Sequence, residues 1–506
     1  MGLRDYTIYN IIKRNKRVYN DRIALISRNQ RISHRIFLEK VDSLAHGLWR
    51  IGLGKGDRIA VLAQNSLEFI YLFAATAKIG AIMMPISWRL KQEEIEYIIS
   101  DGSPKILFVE QEYQPNVTPL IQKFDFLKKV YAMGQARGEF LAFDELMQNS
   151  GDHREVDVCS DDDFVIIHTA SVQGRPRGAI LSHQNLITTN FEYMYRWHLT
   201  EKDVHLTLLP LFHLLGLGIA LSVMQAGGLN VVLSKFDVDL ALRSIQEERV
   251  TLFGVFPPLL RNLLDKAQAD HDDLSSLRIV VGLDEPETIK KFESMTGATF
   301  WTTYGQSETS GLITLAPYFE RPGSAGVPNF LSEIEIADEY DHILGKGDSG
   351  EIVVHGPAVF KGYWNLEKDT DYAFRDGWHH TGDRGRFDAN GYLWYMGRKP
   401  EKELIKSGGE NVYPIEVEKV ILEHPLIEQV AVIGVPDSQW GEAIKAVCIL
   451  KKGESLSETE LTEFVATRIA RFKKPKYVIF VPDLPKTEDG SINREKIKSI
   501  YGGAQS

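Results

Sequence analysis

At 506 residues the chain is too long for one hydrophobic core and points to about three folding units. Its 43% hydrophobic and 25% charged residues are ordinary for a globular protein. Lys and Arg number 58 against 69 Asp and Glu, a formal charge of −11. That balance argues against general nucleic-acid affinity, which needs clustered cations.

Cys159 and Cys448 lie far apart, so no disulfide framework or CxxC metal pattern is expected, and a cytoplasmic location fits. The first residues lack the apolar core of a signal peptide, and Tyr6 breaks the myristoylation pattern. The most apolar stretch, 69–86, is interrupted by Lys78 and Gly80. It reads as a buried helix running into a strand, so no integral membrane segment is expected.

In chain order, 58–62 reads as a strand, 67–79 as a helix and 81–85 as a strand. Further β-branched runs fall at 106–109, 164–168, 204–209, 229–233, 251–255, 279–281 and 299–303, separated by helical patterns. The alternation predicts parallel-rich sheets covered by helices, which hold ligands beyond their strands' carboxyl ends. Ser182-His183 can open a helix. Near residue 396 the composition shifts to a charged, Gly-rich stretch bounded by prolines, which suits a hinge. Beyond it, a helix at 415–423, strands at 429–435 and 445–450, a helix at 458–471 and a strand at 477–481 make a small α+β unit. The expected division is an α/β body at 1–400 and a mobile α+β domain at 401–506.

Several segments can carry chemistry, and each has a plainer reading. GRPRG at 174–178 is either a phosphate cradle or a tight surface turn; it lacks the Walker spacing. YGQSE at 304–308 offers an aromatic face, a close-approach Gly and a carboxylate for adenine and Mg²⁺, or a solvated turn. HHTGDRG at 379–385 places Asp383 in a loop, as a ribose acceptor or an Asx-turn. KSGGEN at 406–411 lets a narrow ligand pass bare backbone or is a linker. PLFHLLGLG at 210–218 sets His213 before an apolar helix, where a satisfied core histidine is the alternative.

Taken in order, TASVQGRPRG, PLFH, YGQSE, TGD, GR, KELIKSGGENVYP and PKTEDGSINR resemble the adenylate-forming superfamily over almost the whole chain. The GGENVYPIEVE and PDSQWGE segments are most similar to its acyl- and aryl-CoA synthetases. That resemblance implies an AMP-forming ligase: ATP and a carboxylic acid give acyl-AMP, the small domain swings, and CoA thiol displaces AMP. ATP, CoA and Mg²⁺ are the implied cofactors; a homodimer is compatible with the family.

By the same resemblance, Thr169, Ala170, Ser171, Gly174, Arg175, Arg177 and Gly178 would wrap the phosphates. Thr303, Tyr304, Gly305, Gln306 and Ser307 would surround adenine, with Glu285 and Pro286 offering backbone contacts. Glu308 would hold Mg²⁺, and Asp383, Tyr395 and Arg398 would serve the ribose end. His213, Arg177, Glu308 and a hinge at Lys402 (or Glu403) would carry catalysis, and Gly408 and Gly409 would line the pantetheine tunnel. His213, Leu214, Gly216, Leu217, Phe256, Gly282, Trp301 and Gly305 would form an apolar acyl pocket with no cation for a second carboxylate. That favours an uncharged aromatic, alicyclic or medium-chain acid.

Two departures from the family pattern matter. Val172, Gln173, Ser171 and Arg177 replace two threonines, a glycine and a lysine of the phosphate loop. Ser491 follows Gly490 where the family carries a lysine for adenylation; Lys486 and Lys496 are the nearby candidates to replace it. Losing one such contact costs about 10²–10³ in rate, which slows an enzyme without abolishing it. Three alternatives therefore stand beside the forward ligase: the same reaction run toward ATP, a binding-only homologue, and an acyl-AMP ligase with another acceptor.

Overall fold

The helices Leu67–Ile79 and Leu214–Ala226 are apolar on nearly every side, the mark of helices buried all round. Both lie between two large sheets, in one core with Leu25 and Val232 of the first sheet and Val61 and Phe108 of the second. The computed structural model describes residues 2–148, 155–169, 176–398, 404–487 and 492–503. Local chemistry sets the helix ends. The Ser66 hydroxyl accepts from the Phe69 N–H at 3.1 Å, and Gly80 closes the helix at φ +70°. Ser182 caps the helix His183–Trp197 as its sequence suggested, accepting from the Asn185 N–H at 3.1 Å.

The described strands form four sheets. One has nine strands, parallel from Thr299–Gln306 through Ile279–Gly282, Leu252–Val255, Val204–Thr207 and Leu229–Val232 to Ile23–Ser27, with antiparallel edges. The second has eight, with a parallel centre of Asp163–Thr169, Ile82–Ile86, Arg58–Leu62, Ile106–Glu110 and Lys129–Met133. A four-stranded antiparallel sheet runs Glu333–Ala337, Gly350–His355, His379–Phe387, Leu393–Arg398. The last sheet, from Ile405–Ser407 to Tyr477–Phe480, packs its own core of Val417, Ile421, Val432 and Leu461. The expected mixed α/β class holds, and no described helix is long and apolar enough to cross a membrane.

Two local expectations fail. Asp383 is in a strand, not a loop: His379–Phe387 pairs with Gly350–His355 on one side and Leu393–Arg398 on the other. The helix expected over 458–471 stops at Ala466, and a short 3₁₀ turn at Arg471–Lys473 follows.

Candidate active site

All four sheets contribute to one cavity of about 770 Å³. The strand Asp163–Thr169 runs into it at Thr169, and Arg177–Ser182 returns antiparallel with Arg177 opposite Thr169. Ala170, Ser171, Gly174 and Arg175 lie outside the described residues, as does Lys402. Gly178 belongs to the returning strand, and packing explains it: a Cβ there would stand 2.6 Å from Ile166 Cγ2.

A second hairpin meets the first. Thr299–Gln306 turns through Ser307–Thr309 into Gly311–Pro317, which places Thr303, Gly305, Gln306, Ser307 and Glu308 on the cavity wall. The Tyr363 hydroxyl donates to Glu308 Oε1 at 2.9 Å and the Thr169 hydroxyl does so at 3.5 Å. Burial opposes ionisation of Glu308, but the charges of Arg177 and His379 hold its carboxyl below the ordinary range. Arg177 is itself committed: it pairs with Asp369 at 3.2 Å and lies 4.0 Å from the Tyr363 ring centroid.

Tyr304 is buried, and its hydroxyl donates to Asp383 Oδ2 at 2.8 Å; the Gln306 amide donates to the same oxygen at 2.5 Å. Arg398 Nε stands 2.8 Å from Asp383 Oδ1, close enough to neutralise it though off the line of a hydrogen bond. Tyr395 completes the group, its ring 6.0 Å from that of Tyr304. Tyr304, Glu308 and Asp383, from different sheets and turns, thus meet at one place.

The far end is apolar. Leu214, Gly216, Phe256 and Gly282 line it, joined by Leu312 and Leu283, which the sequence had not singled out. Leu217 is one turn deeper in its helix and sits in the central core. Trp301 packs with Tyr193, Trp197 and Ile219 beneath the covering helices, not in the cavity wall. Glu285 and Pro286 begin the helix Pro286–Thr296, and the wall there is made by Gly282 and Leu283 instead.

Beside them, burial raises the Asp284 carboxyl to about 6, against the hydrogen bond from the Glu285 N–H at 2.9 Å. The folded chain holds this proton from the ordinary value of 3.8 up to about 6. The group's contribution is therefore complete at low pH and lost as pH rises through about 6. Asp284→Asn is expected to flatten the stability profile across this window, as measured by urea unfolding from pH 4 to pH 7.

The last sheet closes the remaining side. Gly408 and Gly409 form a two-residue turn between Ile405–Ser407 and Glu410–Val412, with φ +57° and +85°. Such a hairpin needs positive φ at both positions, which glycine supplies. Two contacts seat this sheet. Glu410 pairs with Arg89 at 3.0 Å and with His213 Nε2 at 3.2 Å. Buried Lys473 joins Glu94 at 2.5 Å to Glu416 at 2.8 Å. Arg89 and Glu94 carry no sequence signal, whereas Glu410 stands inside GGEN. Ser491 lies outside the described residues; Lys496 is on an exposed helix face, and the lysines on the cavity wall are Lys235 and Lys406.

The model of the AMP-binding enzyme family matches residues 12–364, and that of its C-terminal domain matches 416–491. The chain belongs to the AMP-binding enzyme family. Among relatives, it is 33% identical to the indoleacetate–CoA ligase of Aromatoleum aromaticum over 468 residues, 91% of each chain. It is 34% identical to a feruloyl-CoA synthase of Amycolatopsis over 92% of each chain. The solved o-succinylbenzoate CoA synthetase of Bacillus subtilis superposes with TM-score 0.86 at 27% identity, covering 98% of both chains. These place this AMP-binding enzyme in the acyl- and aryl-CoA synthetase branch, whose members use ATP, CoA and Mg²⁺. The site suits the metal: Glu308 is a buried, ionised carboxylate whose described hydrogen bonds both end on Oε1.

Proposed function

We propose that the acid activated by this AMP-forming carboxylate–CoA ligase is apolar and carries no charge beyond its reacting carboxylate: an aromatic, alicyclic or medium-chain monocarboxylate. The observation that carries this is the make-up of the cavity's far end. Leu214, Phe256, Leu283 and Leu312 supply its surface, and the wall cations Arg89 and Lys235 are already paired, with Glu410 and Glu112. A second carboxylate buried there would lack a partner, at a cost of several kcal/mol.

In the roles we assign, Tyr304 and Gln306 flank the nucleoside, Asp383 accepts its ribose hydroxyls, and Arg177 faces the phosphates. Glu308 and Thr169 hold Mg²⁺, which neutralises phosphate charge when bound. His213 orders the mouth where acid and thiol meet, and Gly408 and Gly409 line the thiol's approach. We assign residues 1–400 to a body that builds acyl-AMP and 401–506 to a unit that turns to deliver CoA. Unpaired Cys159 and Cys448 suit a reducing cytoplasm.

The test is a panel of phenylacetate, cinnamate, benzoate, octanoate and succinate, with pyrophosphate exchange and thioester formation both followed. An apolar acid is expected to exceed succinate about a hundredfold in kcat/KM. Exchange without thioester would transfer the acyl group to another acceptor, and no exchange with any acid would reduce the chain to a binding protein.

Gly409→Ala separates the two steps. Its Cβ would lie 2.6 Å from the Phe256 ring at φ +85°. Thioester formation is expected to fall about tenfold or more, from strain of about 1–3 kcal/mol, with exchange unchanged.

A further inference from the structure

We propose that Tyr413 is a catalytic residue of the thioester-forming step, donating its phenolic O–H to the AMP phosphate as that group leaves. The proposal rests on the ligase reading above. Tyr413 comes from the last sheet, directly after the Glu410–Val412 strand, yet its side chain is buried on the cavity wall with Arg398, Glu308, Arg177 and Thr169. Glu308, Arg177 and Thr169 are the groups assigned to the phosphate end, and Arg398 belongs to the adjoining ribose end. The Tyr413 oxygen accepts from Arg398 Nη1 at 3.2 Å, so its own hydrogen is not used in that bond. Among the described hydrogen bonds, none has this hydroxyl as donor.

Its placement is built rather than incidental. The Tyr413 N–H donates to Glu416 Oε1 at 3.0 Å, starting the helix Pro414–Leu422 with a proline in its first turn. Glu416 is also held by Lys473, which grips Glu94 on the other body. Tyr413 therefore reaches the phosphate end when Glu410 and Lys473 are docked, the arrangement in which Gly408 and Gly409 line the same cavity.

The chemistry balances without proton transfer from Tyr413. The CoA sulfur, its proton released to water, forms a C–S bond at the acyl carbonyl carbon. The bond from that carbon to the phosphate oxygen breaks, and the oxygen keeps the electron pair. Charge grows on that oxygen as the bond breaks, so a donor aimed there acts most strongly in the transition state.

Tyr413→Phe retains the ring and the backbone cap and removes only the hydroxyl. AMP and adenosine affinities are compared by calorimetry in the full-length enzyme. Exchange and thioester formation are followed with whichever of phenylacetate, cinnamate, benzoate and octanoate the wild type accepts. AMP affinity and thioester rate are each expected to fall about tenfold, with adenosine affinity and pyrophosphate exchange unchanged. Unchanged adenosine binding also reports a folded variant. Tyr413→His, which keeps a ring N–H donor, is expected to recover part of the thioester rate. Equal losses in both half-reactions, or an unchanged AMP affinity, would overturn the proposal. A wild type that neither binds AMP nor exchanges pyrophosphate would sink the ligase reading, and this proposal with it.

Discussion

Replacing Asp383 with alanine is expected to destabilise the folded chain by about 2–3 kcal/mol, because it leaves a half-buried cation without its anion. Arg398 is that cation. Burial works against its charge, yet Asp383 and the phenols of Tyr413 and Tyr395 hold its guanidinium above the ordinary value. The same substitution strands the Tyr304 hydroxyl and the Gln306 amide, both of which point at Asp383 Oδ2. Asp383→Asn keeps the shape and one acceptor oxygen, so it should recover part of the stability. Both variants should raise the KM for ATP, alanine by about tenfold or more, since a charged hydrogen-bond acceptor is lost. Urea unfolding and ATP kinetics read the two effects separately. A stable Asp383→Ala protein would mean that Arg398 finds another anion.

Glu308→Gln should behave in the opposite way: the fold survives and the chemistry fails. Arg177 keeps Asp369 and the face of Tyr363, so no cation is abandoned. The lost charge lies where Mg²⁺ and the phosphates are proposed to meet, and pyrophosphate exchange is expected to slow by about 10²–10³. A magnesium titration checks the cause. The variant should need more Mg²⁺ for half-maximal exchange, whereas a purely structural role would leave that concentration unchanged.

How much of this was legible in the sequence depended on whether short-range pattern or long-range pairing decided the outcome. Five-residue β-branched runs such as Arg58–Leu62 and Ile106–Glu110 sit in parallel sheets buried on both faces, so composition alone marks them. The motif residues Tyr304, Glu308 and Arg398 were legible because their spacing along the chain resembles a known order. Asp383 was misplaced because small neighbours suggest a turn, while the partners that make it a strand are distant in sequence. Trp301 is two residues from the wall residue Thr303 in the same strand, and the helices that cover it were not visible locally. Arg89 and Glu94 matter only once a second sheet docks on them, and no local pattern announces that.

The glycine hairpin belongs to the last sheet, with Tyr413 directly after its second strand, while the apolar end belongs to the other body. With the roles proposed above, choice of acid and choice of acceptor are written largely in separate parts of the gene. A lineage can change what it activates by altering Leu312, whereas Phe256 also packs against Gly409 of the hairpin and ties the two together. It can equally exchange the recipient of the acyl group by remodelling the hairpin wherever it does not touch Phe256.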